Sequence, residues 1–272
     1  NGSNEVLELA ARAFLNKDTS ALMSKHAFAV YKIVTQSNGS KTIEVPTIDW
    51  RHALNDFSNY IEDSTRVCFV ANPNNPTGTY NSHDEFKSMM DAIPSSILVI
   101  LDLAYFEYVT EQDYVRVNEL LDKYSNLLVT QTLSKIQRLA SLRIGYVLSN
   151  KKLIEVLNKI RQPFNSNAIA QDAACLAILD HDHIAKSIEL NSQQRDYLTN
   201  KLNDMGMECI PSHGNFISFK GSFKADKLFI DLMKEGVIVR PIALYDMPEF
   251  IRVTVGTKAE NDYFLLKLGQ VL

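Results

Sequence analysis

Strand-like and helix-like segments alternate along the middle of the chain, and this alternation constrains the fold more than any other feature. Near-continuous apolar runs, typical of strands buried on both faces, lie at residues 66–70, 97–103, 127–130 and 144–148. Segments with apolar residues at helical spacing follow the first two runs, at residues 82–92 and 115–124. Because strands alternating with helices favour a parallel sheet covered by helices, the sequence predicts an α/β fold with a largely parallel sheet.

The residues before this alternation predict one helix and two strands. Residues 5–15 carry apolar side chains at helical spacing, and Asn4 stands in the position of an N-cap. Residues 28–35 and 42–45 favour strands, with the turn-forming pair Asn38-Gly39 between them.

The residues after it predict a change of domain near Pro163. Helical patterns flank this proline, at residues 151–160, 168–179 and 183–205. The remaining pattern predicts short strands and two further helices, at residues 215–220, 237–239, 251–255, 225–235 and 261–270. We predict a large domain over residues 1–162, and an interdomain helix with a smaller C-terminal α+β domain over residues 163–272.

Composition excludes several classes of partner. The net charge of −4 provides no basic surface for nucleic acid, and no apolar run approaches the length of a membrane span. Three widely spaced cysteines in apolar surroundings, Cys68, Cys175 and Cys209, indicate buried, reduced thiols in the cytoplasm. The histidines have no metal-ligand spacing, so we predict no metal site.

One lysine, Lys135, lies in a polar turn directly after the apolar run at residues 126–130. A lysine held where the chain leaves a buried sheet can lose hydration, so its pKa falls and it can form an imine with an aldehyde. Arg143, eight residues later, can grip a phosphate. An aldehyde that carries a phosphate describes pyridoxal 5′-phosphate (PLP). The alternative for Lys135 is a solvated lysine at a strand end.

A lone carboxylate, Asp102, lies in the otherwise apolar run at residues 97–105. A buried carboxylate is costly unless a cation pairs with it, and the protonated ring nitrogen of PLP is such a cation. The alternative is an Asp that caps a turn. Tyr105 and Asn75 can donate hydrogen bonds to the phenolic oxygen of the same ring. Asn75 also begins an Asn-Pro-Thr-Gly sequence that makes a good turn in its own right.

The phosphate can be held from several places in the chain. Gly2, Ser3 and Asn4 lead directly into the first predicted helix, so their backbone N–H groups form an anion site. Ser134 and Arg143 can supply further donors. Plain helix capping is the alternative for the first three residues, and a surface ion pair is the alternative for Arg143.

Three stretches in this order, at residues 71–79, 101–107 and 132–146, resemble the fold-type I PLP-dependent aminotransferases. Within that family the chain is most similar to the histidinol-phosphate aminotransferases. The resemblance implies that Phe28 stacks on the pyridine ring, although a core aromatic is the alternative. It implies that Arg252 binds the substrate α-carboxylate and that Arg240 contacts the phosphate of histidinol phosphate or the side-chain carboxylate of glutamate. For both arginines the alternative is an edge-strand side chain that reaches to water.

The resemblance implies amino transfer between L-glutamate and imidazole-acetol phosphate, giving 2-oxoglutarate and histidinol phosphate, with Lys135, Asp102 and Tyr105 as catalytic residues. Alternatives are an aromatic amino-acid aminotransferase, a PLP-dependent decarboxylase of phosphorylated amino acids, and a non-catalytic relative that binds a partner. Family members are homodimers, so we expect a homodimer; they also carry a further N-terminal segment that this sequence lacks.

Overall fold

The computed structural model describes all residues from 1 to 272. The α-helices are α1 (Ser3–Phe14), α2 (Ala29–Ser37), α3 (His83–Ala92), α4 (Val117–Lys123), α5 (Lys151–Ile160), α6 (Ala168–Leu179), α7 (His181–Asp204), α8 (Ala225–Lys234) and α9 (Lys258–Val271). The strands are β1 (Ser20–Ser24), β2 (Lys41–Val45), β3 (Thr47–Ile48), β4 (Arg51–His52), β5 (Thr65–Ala71), β6 (Leu98–Asp102), β7 (Leu127–Thr132), β8 (Gly145–Ser149), β9 (Glu208–Cys209), β10 (Phe216–Lys220), β11 (Arg240–Pro241) and β12 (Ile251–Thr254).

The larger sheet has six strands in the order β2-β1-β5-β6-β7-β8. All neighbours are parallel except β7 and β8, which are antiparallel. Strands β5, β6 and β7 are buried on both faces apart from Arg66, and a hydrophobic cluster covers each face. The predicted α/β fold with a largely parallel, helix-covered sheet is confirmed.

A second sheet is antiparallel, in the order β11-β12-β10-β9. Helices α7, α8 and α9 pack against it around a separate cluster that includes Phe219, Leu232 and Phe264. An α+β arrangement therefore follows the large sheet, as predicted. The boundary between residues 162 and 163 stays a prediction.

The predicted strand at residues 28–35 was wrong, because this segment is helix α2. Its buried side chains, Tyr31, Val34 and Thr35, are spaced as one helical face. Their β-branched and aromatic side chains favour a strand locally, but the packing of these side chains against the sheet stabilises a helix instead.

Several smaller features of the structure also differ from the sequence-based expectations. Helix α1 begins at Ser3 with Gly2 as its N-cap, rather than at Glu5 after Asn4. Strand β1 was not predicted, and residues 237–239 form no strand because the short pairing with β12 starts at Arg240. Of the three cysteines predicted to be buried, Cys68 is buried and Cys209 is only half-buried. Cys175 is exposed because it lies on an uncovered face of α6.

Two observations bear on membranes and metals. No helix is both long and apolar enough to span a bilayer. No group of three or more His, Cys, Asp or Glu side chains is arranged to hold a metal ion.

Candidate active site

The carboxyl ends of β5, β6 and β7 meet at one edge of the large sheet, which is where open α/β sheets bind ligands. The register places Ala71 beside Asp102, and Asp102 beside Thr130. This edge forms a pocket lined by nine predicted cofactor-binding residues: Ser3, Asn4, Phe28, Asn75, Asp102, Tyr105, Ser134, Lys135 and Arg143. Three sequence stretches separated by some thirty residues each are therefore brought together by parallel strand pairing.

Asp102 is 4% exposed and is held by two donors. The hydroxyl of Tyr31 donates to Oδ2 at 2.9 Å, and the backbone N–H of Ala104 donates to Oδ1 at 3.3 Å. Burial raises the pKa of Asp102 to about 6, although both hydrogen bonds and the positive charge of Lys135 oppose the rise. The carboxylate therefore lies in the pocket wall without a salt bridge, ready for a cationic group.

Lys135 also lines the pocket, and its Nζ lies 5.1 Å from the centre of the Tyr105 ring. Lys135 forms no salt bridge, since no carboxylate oxygen lies within 4 Å of its Nζ. Two backbone hydrogen bonds shape the turn that carries it, from Arg138 N–H to Lys135 O and from Leu139 N–H to Leu133 O, both at 3.0 Å. The ammonium group is thus presented to the pocket rather than paired on the surface.

An anion-binding corner forms where α1 begins. The Arg143 Nη1 donates to Ser134 Oγ at 3.3 Å and to Ala140 O at 2.8 Å, and Arg143 has no acidic partner. Gly145 permits the close approach of the helix, because a Cβ there would lie 2.6 Å from Gln131 O and 2.9 Å from Ser3 N. Donors from α1, Ser134 and Arg143 therefore converge on a site suited to a phosphate.

Gly2 does not line the pocket, but it borders this corner. Its φ of 77° is a conformation that favours glycine. A Cβ at Gly2 would lie 2.9 Å from Nη2 of Arg143. Gly2 thus lets Arg143 lie against the start of α1.

The second sheet reaches the pocket through Arg252. Its Nη1 donates to Oδ1 of Asn75, and its guanidinium carbon lies 5.0 Å from the centre of the Phe216 ring. Arg240 is directly opposite Arg252 in the β11–β12 register, but it is exposed and does not line the pocket. The structure therefore places Arg252 beside the predicted cofactor site and Arg240 one strand further out.

Tyr31 is the site residue that sequence reasoning missed. It is fully buried, and the pKa of its hydroxyl is raised well above the usual value by burial and by the neighbouring Asp102 charge. The segment that contains it was predicted as a strand, so nothing in the local pattern pointed its side chain at Asp102. Only a correct assignment of α2, which buries Tyr31, Val34 and Thr35, could have suggested it.

These groups fit one cofactor. A buried carboxylate without a cation suits a protonated ring nitrogen, an unpaired lysine suits an aldehyde, and the donors at α1 suit a phosphate. Pyridoxal 5′-phosphate carries all three groups on one ring. The fold and the pocket together define the class of PLP-dependent enzymes built on a parallel sheet.

Comparisons with known proteins agree with this class. The model of the family "Aminotransferase class I and II" matches residues 1–268. Histidinol-phosphate aminotransferase 2 of Pseudomonas fluorescens is 47% identical over 272 residues, which is all of this chain and 74% of that protein. Histidinol-phosphate aminotransferase 1 of Idiomarina loihiensis is 44% identical over 97% of this chain and 72% of that protein. The chain belongs to the class I and II aminotransferases, and within them to the histidinol-phosphate aminotransferase family.

A solved structure shows the same arrangement of elements. The crystal structure of histidinol-phosphate aminotransferase from Sinorhizobium meliloti, in complex with pyridoxal 5′-phosphate, superposes with a TM-score of 0.93 at 25% identity. The superposition covers 99% of this chain and 74% of that one. The protein is therefore an aminotransferase that uses PLP.

Proposed function

We propose that the protein transfers the amino group between L-glutamate and imidazole-acetol phosphate, giving 2-oxoglutarate and histidinol phosphate, a step of histidine biosynthesis. One observation carries the proposal: Lys135, Asp102 and Arg143 line one pocket in a chain that is 47% identical over its whole length to a histidinol-phosphate aminotransferase. The 44% identity to a second such enzyme supports the same substrate pair.

When bound, PLP supplies an aldehyde that takes up the substrate amine and a ring that accepts an electron pair from the substrate Cα. We assign the covalent attachment to Nζ of Lys135. As a free amine, Nζ of Lys135 would move the proton at the substrate Cα as a general acid and base. Asp102 would accept a hydrogen bond from the ring N–H and keep the proton on that nitrogen.

The remaining residues of the pocket orient the ring. Asn75 uses Oδ1 to accept from Arg252, which leaves its Nδ2 to donate to the phenolic oxygen beside the hydroxyl of Tyr105. Phe28 packs on the face of the ring. The backbone N–H groups of Ser3 and Asn4 would hold the phosphate, together with the side chains of Ser134 and Arg143. Gly2 lies at the border of this phosphate site.

Two arginines suit anionic substrates. Arg252 and Arg240 are opposite each other on neighbouring strands, and like charges in that position are destabilising unless an anion lies between or beside them. We assign the α-carboxylate to Arg252. We assign the phosphate of histidinol phosphate, or the side-chain carboxylate of glutamate, to Arg240.

The visible absorbance of the lysine-bound cofactor tests the enzyme assignment. Full-length protein mixed with PLP should show this band, and Lys135→Ala should abolish it because no other unpaired amine lines the pocket. Lys151→Ala is the matched control, since that side chain is 91% exposed on α5. A wild-type protein without the band would favour a non-catalytic relative that binds a partner instead.

Half-reactions separate the substrate alternatives. Histidinol phosphate, glutamate and phenylalanine should each be mixed with the PLP-loaded protein, and conversion of the cofactor to its amine form should be followed. We expect Arg240→Ala to penalise histidinol phosphate and glutamate at least about tenfold more than phenylalanine, because the phosphate and the side-chain carboxylate assigned to Arg240 are both absent from phenylalanine. Equal losses for all three would remove Arg240 from substrate recognition and leave an aromatic aminotransferase in contention.

We also propose that the protein is a homodimer in the cytoplasm. The support in the structure is α6, on which Ile169, Leu176 and Leu179 are at least two-thirds exposed, since uncovered apolar patches mark interaction surfaces. Sedimentation should give twice the chain mass, and Leu176→Glu should shift it toward the monomer. The exposed Lys151→Glu on α5 should leave it unchanged. Cell fractionation tests the location.

A further inference from the structure

The turn that carries Lys135 is fastened to the preceding strand connection by one side-chain pair. Nε2 of Gln137 donates to Oε1 of Glu107 at 2.6 Å. Glu107 lies two residues after Tyr105, in the short 3-10 segment Phe106–Tyr108, and Gln137 lies two residues after Lys135. The pair therefore joins the two pocket walls that carry Tyr105 and Lys135.

Neither member of the pair hydrogen-bonds to any other side chain. Glu107 forms no salt bridge, and burial raises the pKa of its carboxyl. Oε1 of Gln137 is buried and accepts no hydrogen bond. Both side chains are half-buried, and losing one member of the pair would leave the polar group of the other without its side-chain partner. Each of these two side chains therefore has the other as its one side-chain hydrogen-bond partner.

The turn needs such support, because its backbone is strained one residue further on. Arg138 has a φ of 57°, in the left-handed region that residues with a Cβ avoid. A second contact, from His183 Nε2 to Ile136 O at 2.9 Å, holds the same turn from α7. Gln137 lies between the strained residue and the one held by His183, so its side chain fixes the middle of the turn.

We propose that Gln137 and Glu107 are positioning residues that set where Nζ of Lys135 lies relative to Tyr105 and the cofactor aldehyde. Neither side chain lines the pocket, so both act through the turn. The proposal rests on Lys135 as the point of attachment. Displacing the reacting nitrogen should slow chemistry more than it weakens substrate binding.

The test uses full-length protein and four variants. We expect Gln137→Ala to lower kcat about tenfold with KM within about twofold, and to slow the appearance of the lysine-bound cofactor band after PLP is added to the apoprotein. Gln137→Glu places two carboxyl groups together, so it should lower kcat and slow the appearance of the band more than Gln137→Ala does. The exchange variant Glu107→Gln/Gln137→Glu restores one amide–carboxylate bond, so it should recover both values to within about twofold. Gln193→Ala, which removes an exposed glutamine bonded to Glu189 at 3.2 Å, is the control.

The outcomes separate this inference from the proposed function. A band that survives Lys135→Ala would overturn the assignment of Lys135 itself. If the band depends on Lys135 but Gln137→Ala behaves like Gln193→Ala, the positioning role is wrong and the function stands. An exchange variant that is folded by circular dichroism yet no faster than Gln137→Glu would also overturn it.

Discussion

The hydroxyl of Tyr31 donates a 2.9 Å hydrogen bond to Oδ2 of Asp102, across 71 positions of sequence. The ring of Tyr31 stacks on Phe69, with centres 4.8 Å apart and planes 9° from parallel. Helix α2 therefore fixes the direction of a carboxylate that lies at the end of β6. The bond connects the packing of one face of the sheet to the proposed chemistry at its edge.

Tyr31→Phe should weaken the hold on the cofactor without disturbing the core. The substitution keeps the stacked ring and removes one donor to a charged group, which is worth about 1.5–3 kcal/mol. We expect the PLP dissociation constant to rise at least about tenfold in an absorbance titration. Tyr263→Phe removes a hydroxyl that donates to Glu235 O on the surface and should leave PLP affinity unchanged. Equal affinities for all three proteins would contradict the role of Tyr31.

Asp102→Asn should stabilise the apoprotein at neutral pH while abolishing amino transfer. The pKa of Asp102 is raised to about 6 from 3.8, so the folded protein retains a proton that the unfolded chain releases. Stability from this group therefore falls as pH rises from about 4 to about 6. Asp102→Asn has no carboxylate to desolvate, so its free energy of unfolding should exceed that of wild type by about 2–3 kcal/mol at pH 7.

Urea unfolding of the PLP-free proteins at two pH values measures this difference. Near pH 4 the free energies of unfolding of wild type and Asp102→Asn should nearly coincide, because Asp102 is protonated in the folded state. A difference that stays the same from pH 4 to pH 7 would show that Asp102 does not titrate as described.

Gly145→Ala should damage the phosphate corner. The added Cβ would lie within 2.9 Å of two backbone atoms, in Gln131 and Ser3, so the start of α1 must move away from the pocket. We expect PLP affinity to fall at least about tenfold, which corresponds to about 1.4 kcal/mol. Gly269→Ala, inside α9 with its nearest atom at 3.8 Å, should instead stabilise the fold by about 0.5–1 kcal/mol. Unchanged PLP binding in Gly145→Ala would argue against α1 as a phosphate site.

Arg138→Gly should stabilise the protein by about 1 kcal/mol, because glycine adopts the φ of 57° at Arg138 without a steric cost. Thermal unfolding of the variant should occur a few degrees higher than in wild type. Arg161→Gly provides the comparison, since Arg161 has an ordinary φ of −66° and gains nothing from glycine. A loss of stability in Arg138→Gly equal to that in Arg161→Gly would show that no strain is stored there.

Most of the proposed site could be predicted from local sequence because polar residues interrupt apolar strands at their carboxyl ends. Asp102 and Lys135 each follow a buried run, and parallel pairing must bring such ends to one edge. Asn75 follows β5 in the same way. The predicted start of α1 was two residues too late. Periodicity identifies a helix reliably, but it does not define the residue at which the helix begins.

The chain by itself determined the alternating elements, the strand ends and the residue types that meet there, because periodicity and burial leave their record in neighbouring residues. Tertiary structure alone decided that Tyr31 points at Asp102, that Gly145 admits α1, and that Arg240 lies opposite Arg252. Each of these contacts joins distant positions, and their free energy depends on how whole elements pack. No local pattern carries that information, which is why the segment containing Tyr31 has the residues of a strand and the structure of a helix.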